Sequence, residues 1–446
     1  MRFECGVGMK GRSQATAGQL FAIFIGLVTS ISNAASAMVD PASLGIKTIS
    51  GSCGPLSGGM VNGAATSAKF EAPTGIALGP NGTWIAIADD LNNRVRRLSN
   101  DVVDTLAGSD EMGFRDATKE AALFRRPVAV AISNDGTWAA IADRENSLIR
   151  RVSVPDGVVT TIAGVGSKGY TDGAAADAKF NTPTGLAISP DDTWIAVADS
   201  GNHAIRKVDA VTGATETLAG AGPGLGQGSS GFTNGHPTNE GRLNTPKAVT
   251  FRADGAWLAI ADSGNRAIRA LSLSEAGPST LDTWAGGSGA GLVDGSVEDA
   301  RFEEPLGLAF SPQSEALYIA DGGNRRVRVL LMAGDAPSQV WTVNGTGGLE
   351  GGGFAEFAEL MQPSDVAVSP GGDWMVVSLS EGNCIVNISV VTPLPPPPPP
   401  TSSPTVASTF SAVVYANTAS LRPCPLPILA FSMLVALTSF ALKQHR

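Results

Sequence analysis

The sequence predicts an all-β protein, a six-bladed β-propeller built from four-stranded blades. The first observation behind this prediction is a repeat, because a proline followed by a short apolar run recurs six times along the 446 residues. Successive prolines are 54 to 63 residues apart, a period typical of stacked or radial repeat architectures. The six are Pro73, Pro127, Pro183, Pro246, Pro305 and Pro363.

The second observation is a set of polar residues that keeps its spacing within the repeat. An aspartate, an asparagine and an arginine follow the first five prolines at offsets of 16, 19 and 23 residues. A single ligand site is asymmetric, so a set that recurs in five units indicates a structural role. We expect the aspartate and asparagine to cap backbone amides of a tight turn, and the arginine to pair with a carboxylate or a carbonyl. The residues are Asp89, Asn92, Arg96, Asp143, Asn146, Arg150, Asp199, Asn202, Arg206, Asp262, Asn265, Arg269, Asp321, Asn324 and Arg328.

The third unit shows the four strands expected in each blade. Residues 185–189 form an apolar run, and residues 194–198 form a second run after a turn that begins at Pro190. Residues 204–208 and 215–219 supply two further runs with turn residues between them. Short β-rich runs with regular turn signals indicate all-β structure, and four strands repeated radially make a propeller blade.

The two ends of the repeat array predict how the ring closes. The sixth unit has three strands, at residues 364–369, 374–377 and 384–390, before a proline run starts at Pro393. Residues 47–51, which precede the first unit, carry the signature of a fourth strand. We therefore expect this N-terminal strand to complete the last blade, because an open ring would leave unpaired strand edges.

One unit carries the residues of a known family. They are Tyr170-Thr-Asp-Gly, Ala178-Lys-Phe, Pro183-Thr-Gly-Leu-Ala, Ala198-Asp, Asn202 and Ile205-Arg. This pattern resembles the NHL repeat, and the resemblance covers about residues 46–391 with five of six units well matched. It implies a propeller of six blades. The sixth unit departs from the pattern, because Ser378 and Leu379 replace Ala-Asp and Gly382 stands at the asparagine position.

Composition narrows the classes of function. The formal net charge is −10 and the pI is about 4.9, whereas nucleic-acid binders carry basic patches, so no nucleic-acid partner is expected. The chain has three histidines: His203 and His236 are expected to be solvated loop residues, and His445 lies in the tail. The sequence contains no Ser/His/Asp arrangement, phosphate loop or cysteine metal motif. No catalytic, cofactor or metal residue is therefore predicted.

A further set of repeated residues lies in the loops between blades. We expect these residues to form turns, and calcium binding by one or two of the loops is the alternative, because oxygen ligands suit this ion. The set consists of Asn62, Asp116, Asp172, Asn234 and Asp294.

The N-terminal region predicts secretion. Residues 1–37 combine a basic beginning, an apolar stretch at 20–28 and the small-residue cleavage site Ala35-Ser-Ala37, which together indicate a signal peptide. An uncleaved anchor is the alternative. The propeller is then expected to occupy residues 38–391.

The C-terminal region predicts attachment to a membrane. Residues 392–425 form a stalk rich in proline, serine and threonine, which is extended and semi-rigid. The apolar residues 426–442 are close to the lower length limit of a transmembrane helix, and a short basic tail follows at 443–446. A GPI signal is the alternative. In both cases the propeller is expected at the cell surface, outside the membrane.

A secretory compartment permits glycosylation and disulfides. Asn81, Asn344 and Asn387 stand in glycosylation sequons. Cys53 lies just past the N-terminal strand, and Cys384 opens the third strand of the last blade. Ring closure would make these strands antiparallel neighbours, so a Cys53–Cys384 disulfide is predicted.

These observations favour an extracellular, membrane-anchored, non-enzymatic module that binds a protein or a glycan. Its longest glycine-rich loop, residues 221–232, is the candidate recognition loop. The alternatives are a metal-dependent lyase or lactonase, a class found among propellers similar to this family, and a structural coat protein without a specific ligand. The enzyme would need a His or carboxylate cluster at the propeller axis.

Overall fold

The computed structural model describes residues 46–220, 228–273, 279–343 and 360–390. Four predicted segments lie outside the described residues: the signal peptide 1–37, the stalk 392–425, the apolar segment 426–442 and the basic tail 443–446. In the part that is described, no helix has the length and apolar character needed to cross a membrane.

The described residues form β-strands and short 3₁₀ turns. The strands are β1 Ile46–Ser50, β2 Gly63–Ala64, β3 Pro73–Leu78, β4 Trp84–Asp89, β5 Arg94–Ser99, β6 Val102–Gly108, β7 Pro127–Ile132, β8 Trp138–Asp143, β9 Leu148–Ser153, β10 Val159–Ala163, β11 Pro183–Ile188, β12 Trp194–Asp199, β13 Ala204–Asp209, β14 Thr215–Gly220, β15 Pro246–Phe251, β16 Trp257–Asp262, β17 Ala267–Ser272, β18 Leu281–Gly286, β19 Gly295–Ser296, β20 Pro305–Phe310, β21 Ala316–Asp321, β22 Arg326–Ala333, β23 Ala336–Thr342, β24 Pro363–Val368, β25 Trp374–Leu379 and β26 Cys384–Ser389. The 3₁₀ turns are Asp90–Asn92, Lys119–Ala121, Arg144–Asn146, Ser200–Asn202 and Ser263–Asn265.

The strands pair into six antiparallel sheets, numbered here as blades one to six from the sheet that begins at Pro73. Blades one to five are built on β3–β6, β7–β10, β11–β14, β15–β18 and β20–β23, with β2 and β19 added at the outer edges of blades one and five. Blade six has the order β1-β26-β25-β24, so the N-terminal strand is its outermost strand. The predicted fold class, a six-bladed propeller closed by the N-terminal strand, is confirmed.

Closure depends on contacts at both edges of blade six. At its outer edge β1 pairs antiparallel with β26, with Thr48 opposite Val386. At its inner edge β24 packs against β3 of blade one, as the inner strands of the other neighbouring blades pack together. The ring is therefore continuous.

Small residues allow the inner strands to approach each other. A Cβ added to Gly75 of β3 would lie 2.6 Å from the Cα of Ala129 in β7, closer than real Cβ contacts. Gly185 and Gly307 are equally confined by the next blade. The hydrophobic core lies between neighbouring blades: for example, Phe180 packs with side chains from blades two and three.

The Cys53–Cys384 disulfide is present, with a Cα–Cα distance of 5.1 Å and a sequence separation of 331 residues. The positions that correspond in blade one are Arg94 and Asp110, which form an ion pair with Nη2 3.7 Å from Oδ1. The register that ring closure imposes thus brings the two cysteines together. A disulfide of this kind is typical of proteins that fold in an oxidising compartment.

Candidate functional site at the channel mouth

The repeated aspartate, asparagine and arginine form a largely buried network inside each of blades one to five. In blade one, Asp89 Oδ2 accepts hydrogen bonds from Asn92 Nδ2 at 2.9 Å and from Arg96 Nη1 at 2.7 Å. Its Oδ1 accepts the backbone N–H of Glu71, which belongs to the loop before β3, at 2.8 Å. Burial raises the pKa of Asp89 to about 6, although Arg96 acts in the opposite direction. The network ties the end of β4 to β5 and to the incoming loop.

The aspartate caps a backbone amide, as expected, but that amide belongs to the preceding loop and not to the tight turn. Asp89 accepts no backbone N–H of the 3₁₀ turn that follows it, and Asn92 donates to the carbonyl of Gly59 as well as to Asp89. Both side chains therefore form hydrogen bonds with the backbone of the loop that precedes the blade. The same arrangement is repeated by Asp143, Asn146, Arg150; Asp199, Asn202, Arg206; Asp262, Asn265, Arg269; and Asp321, Asn324, Arg328.

Each buried arginine also donates a hydrogen bond to one of the repeated loop residues that lie between blades. Arg206 Nη2 donates to Asp172 Oδ1 at 2.5 Å and to the carbonyl of Thr171 at 2.8 Å, and its guanidinium stacks between Tyr170 and Phe180. Asn62, Asp116, Asn234 and Asp294 accept hydrogen bonds from the corresponding arginines. The oxygens that calcium would need are therefore engaged by cations. Within the described residues, no cluster of three His, Cys, Asp or Glu side chains could hold a metal ion.

The histidines occupy different environments. His236 is exposed, as expected. His203 is half-buried, and its Nδ1 accepts the backbone N–H of Thr245 in the next blade at 2.9 Å. Asn93 makes the equivalent bond to the N–H of Arg126 in blade two. His203 is thus a link between blades rather than a solvated turn residue, and burial lowers its pKa.

The inner strands surround a channel of about 1030 Å³, which is lined by residues of all six blades. The proline that begins an inner strand pairs with the aspartate that ends the next strand, as Pro246 pairs with Asp262. The inner-strand prolines and the turns after the aspartates consequently lie at the same end of the channel. This end is called the proline mouth below.

Charged side chains line the proline mouth unevenly. Arg144, Lys247 and Glu304 are half-buried and contributed by blades two, four and five. Among described residues, neither the Lys247 ammonium nor the Glu304 carboxylate has a hydrogen-bond partner, and the Arg144 guanidinium has only a weak contact, with its Nε 3.5 Å from Glu145 Oε1. Burial lowers the pKa of Lys247; Glu304 raises it and Arg144 lowers it further. The two cations therefore line the same mouth within electrostatic range of each other, and among the described residues neither forms a direct ion pair with Glu304.

Two ion pairs also lie at the proline mouth. Arg126 forms a bidentate ion pair with Asp90, with both N–O distances at 2.7 Å. Arg325 Nη2 lies 3.1 Å from Glu381 Oε2. These pairs leave the sector around Arg144 and Lys247 as the cationic side of the proline mouth, with Glu304 beside it.

Asp365 is a carboxylate at a position where the other blades have glycine or alanine. It is half-buried on β24, and its Oδ2 accepts the N–H of Ile76 in blade one at 3.0 Å, while its Oδ1 accepts the N–H of Val366 at 2.9 Å. Burial raises the pKa of Asp365 to about 7. Alignment of the six units could have identified it, because it lies two residues after Pro363, where Gly75 stands after Pro73.

The glycosylation sequons differ in accessibility. Asn81 is exposed in the turn between β3 and β4, where its Oδ1 accepts hydrogen bonds from Thr83. Asn387 is half-buried within β26 and pairs with Lys47 of β1. Asn344 lies outside the described residues, as does most of the predicted recognition loop 221–232.

The closed ring and its buried Asp–Asn–Arg networks define the class of protein, a six-bladed β-propeller with NHL-type repeats. No protein-family model matches the chain. SUPPRESSOR OF QUENCHING 1, chloroplastic, of Arabidopsis thaliana is 30% identical over 298 residues, which cover 64% of this chain and 27% of the relative. NHL repeat-containing protein 2 of Homo sapiens is 25% identical over 328 residues, which cover 66% of this chain and 43% of the relative.

The chain thus spans about a quarter to two-fifths of the length of these relatives. A solved auxiliary nutrient binding protein from Bacteroides thetaiotaomicron has a TM-score of 0.57 at 14% identity, over 77% of this chain and 76% of its own. That likeness concerns the fold. The repeats, the six-bladed fold and the similarity to NHL repeat-containing protein 2 together confirm the predicted likeness to NHL-repeat propellers.

Proposed function

We propose that the protein is a non-enzymatic recognition module displayed outside the cell, which binds a protein or a glycan at the proline mouth of its channel. The observation that carries this proposal is the set of half-buried charges at that mouth, Arg144, Lys247 and Glu304, which have no strong partner among the described residues. Charged groups held at a concave site without partners can bind complementary groups of a ligand.

The structural roles of the repeated polar residues support this choice. The aspartates and arginines of the five Asp–Asn–Arg sets are fully buried and hydrogen-bonded within their blades, so they are not accessible to a ligand. The proline mouth, by contrast, differs from blade to blade. A rigid ring with variable residues at one end is the arrangement in which scaffolds commonly carry recognition.

The extracellular part of the proposal is supported by two features. The sequence of residues 1–37 has the pattern of a signal peptide, and the Cys53–Cys384 disulfide suits an oxidising compartment. Attachment through residues 426–442 is proposed from the sequence pattern alone.

The test uses a secreted fragment, residues 38–391, which contains every strand of the ring. Immobilised fragment is exposed to panels of extracellular glycans and secreted proteins, in parallel with the variant Arg144→Met/Lys247→Met. Binding by the wild type that the variant loses supports the proposal. Equal binding by both forms places recognition elsewhere and contradicts it.

The lyase or lactonase alternative is tested on the same fragment. Metal analysis after purification, followed by assays of lactone hydrolysis and of lyase cleavage, would reveal an enzyme. Stoichiometric zinc or calcium together with turnover that depends on the metal would overturn the non-enzymatic proposal.

A further inference from the structure

We propose that Arg144 and Lys247 bind the carboxylate of an acidic sugar, such as a uronate, while Glu304 accepts hydrogen bonds from its hydroxyl groups. The inference rests on the proposed function and names the class of ligand for the same site.

The first step is the position of the two cations. Arg144 belongs to the turn after β8 in blade two, and Lys247 is the second residue of β15 in blade four, so the curvature of the ring brings them to one mouth. Both side chains are half-buried, which weakens the screening of their mutual repulsion by water. An anion between them would relieve this repulsion.

The second step is the chemistry of that anion. Arginine presents a planar fork of N–H donors that matches a carboxylate, and lysine adds a compact charge with three donors. Charge-assisted hydrogen bonds of this kind are about twice as strong as neutral ones. Because the net charge of the chain is −10, attraction of an anion must come from this local sector.

The third step is the role of Glu304. Its carboxylate is close enough to Lys247 to raise the lysine pKa, yet it makes no hydrogen bond with a described residue. An ionised carboxylate is an acceptor, so a ligand that satisfies it must bring donors. A simple carboxylate has none, whereas the hydroxyl groups of a uronate supply several. Hydroxyl and amide groups of Ser364, Ser380 and Gln362 line the same channel.

The experiment is calorimetric titration of the full-length protein with D-glucuronate and its oligomers. Three comparison ligands accompany it: glucose lacks the carboxylate, acetate lacks the hydroxyl groups, and glycine lacks the hydroxyl groups and adds an ammonium. We expect saturable binding of glucuronate, tighter than that of any comparison ligand. Binding of glucose as tight as that of glucuronate would overturn the inference, and so would preferential binding of glycine or acetate.

Variants identify the site. Lys247→Met and Arg144→Met should each weaken glucuronate binding by about tenfold or more, since removal of one charge-assisted hydrogen bond is typically of that order. Lys47→Met changes an exposed lysine on β1, far from the channel, and should leave the affinity unchanged. If all three variants bind equally well, the inference is wrong.

The pH profile separates a charge role of Lys247 from a steric one. Affinity of the wild type should fall as alkaline pH deprotonates Lys247, whose pKa is lowered by burial. Lys247→Arg keeps its charge throughout this range and should therefore lose this decline. Identical profiles for the two proteins would contradict the assigned role.

The outcomes also separate this inference from the proposed function. If the panels yield a neutral glycan or a protein that requires the proline mouth while glucuronate fails to bind, recognition stands and the acidic-sugar inference falls. If nothing binds at the proline mouth, both fall.

Discussion

Asp365 links a single residue to the pH dependence of stability. Its pKa is raised from the ordinary 3.8 to about 7 by burial, so between these values the folded state holds a proton more tightly than the unfolded state. The stability that this group contributes is therefore fully present below about pH 4 and is lost as the pH rises through 7. Asp89 and its counterparts act with the same sign, because their pKa values are also raised.

The variant Asp365→Ala isolates this contribution, since blades two and four have Ala129 and Ala248 at the same position. The free energy of unfolding of the variant minus that of the wild type should be about 1–3 kcal/mol larger at pH 8 than at pH 5, because only the wild type has the carboxyl group that ionises. Urea unfolding at both pH values measures the difference. An equal effect of the substitution at the two pH values would show that Asp365 does not titrate in this range.

The buried arginines are expected to be the most sensitive single positions. Arg206→Met would leave Asp199 as a buried carboxylate without its cation, and breaking such a pair typically costs about 3–5 kcal/mol. Lys207→Met is the matched control, because the neighbouring Lys207 forms a partly exposed pair with Glu216 worth about 0–1 kcal/mol. Chemical denaturation compares them, and similar losses would contradict a structural role for the buried network.

Single residues also mark where prediction from the sequence succeeded and where it failed. The spacing of the repeat predicted which aspartates and arginines are structural, because a repeated pattern reports the fold directly. It could not show that Asp89 reaches the loop before β3 instead of its own turn, since that depends on the direction of the side chain. The link from His203 to Thr245 was missed for the same reason.

At the scale of strands, the sequence predicted every strand of the third and sixth units to within two residues at each end. The predicted run 185–189 corresponds to β11, Pro183–Ile188, and residues 204–208 to β13, Ala204–Asp209. The difference at β11 arises because the bulge after Pro183 still allows this proline to pair with Asp199. The repeat period and the turn residues predict where strands lie. The position of a bulge cannot be predicted in this way, because it depends on the register with the partner strand.

Strand β1 is expected to be essential, although it is only five residues long. Removing the residues before 52 would expose the edge of β26, and exposed edges pair with other chains. A chain starting at residue 52 should therefore elute as oligomers in size-exclusion chromatography and unfold at a lower temperature than one starting at residue 38. A monomer of unchanged thermal stability would show that β1 is dispensable for closure.

At the scale of the whole molecule, the proline mouth is a product of ring closure. Arg144 and Lys247 are far apart in sequence and belong to no repeated pattern, so their place at one mouth of the channel could not be predicted before the blades were arranged in a ring. The fold was accessible from the sequence because it repeats. The candidate site was not, because it consists of the residues that break the repeat.

The disulfide makes closure a property of the entire ring, since it joins the N-terminal segment to blade six across 331 residues. Cross-linking so long a loop restricts the unfolded chain, and the chain-entropy model gives a stabilisation on the order of 5 kcal/mol as an upper value. The unfolding midpoint should therefore fall in three variants: Cys53→Ser, Cys384→Ser and the double variant. The double variant should be no less stable than either single variant, because each substitution alone already removes the bond. Thermal unfolding, with thiol counting to confirm that the wild type is oxidised, measures the loss.

Because all six blades depend on one closed ring, the loss should appear as a shift of a single cooperative transition. An early separate transition confined to blade six would instead indicate that the other blades hold together without the closure.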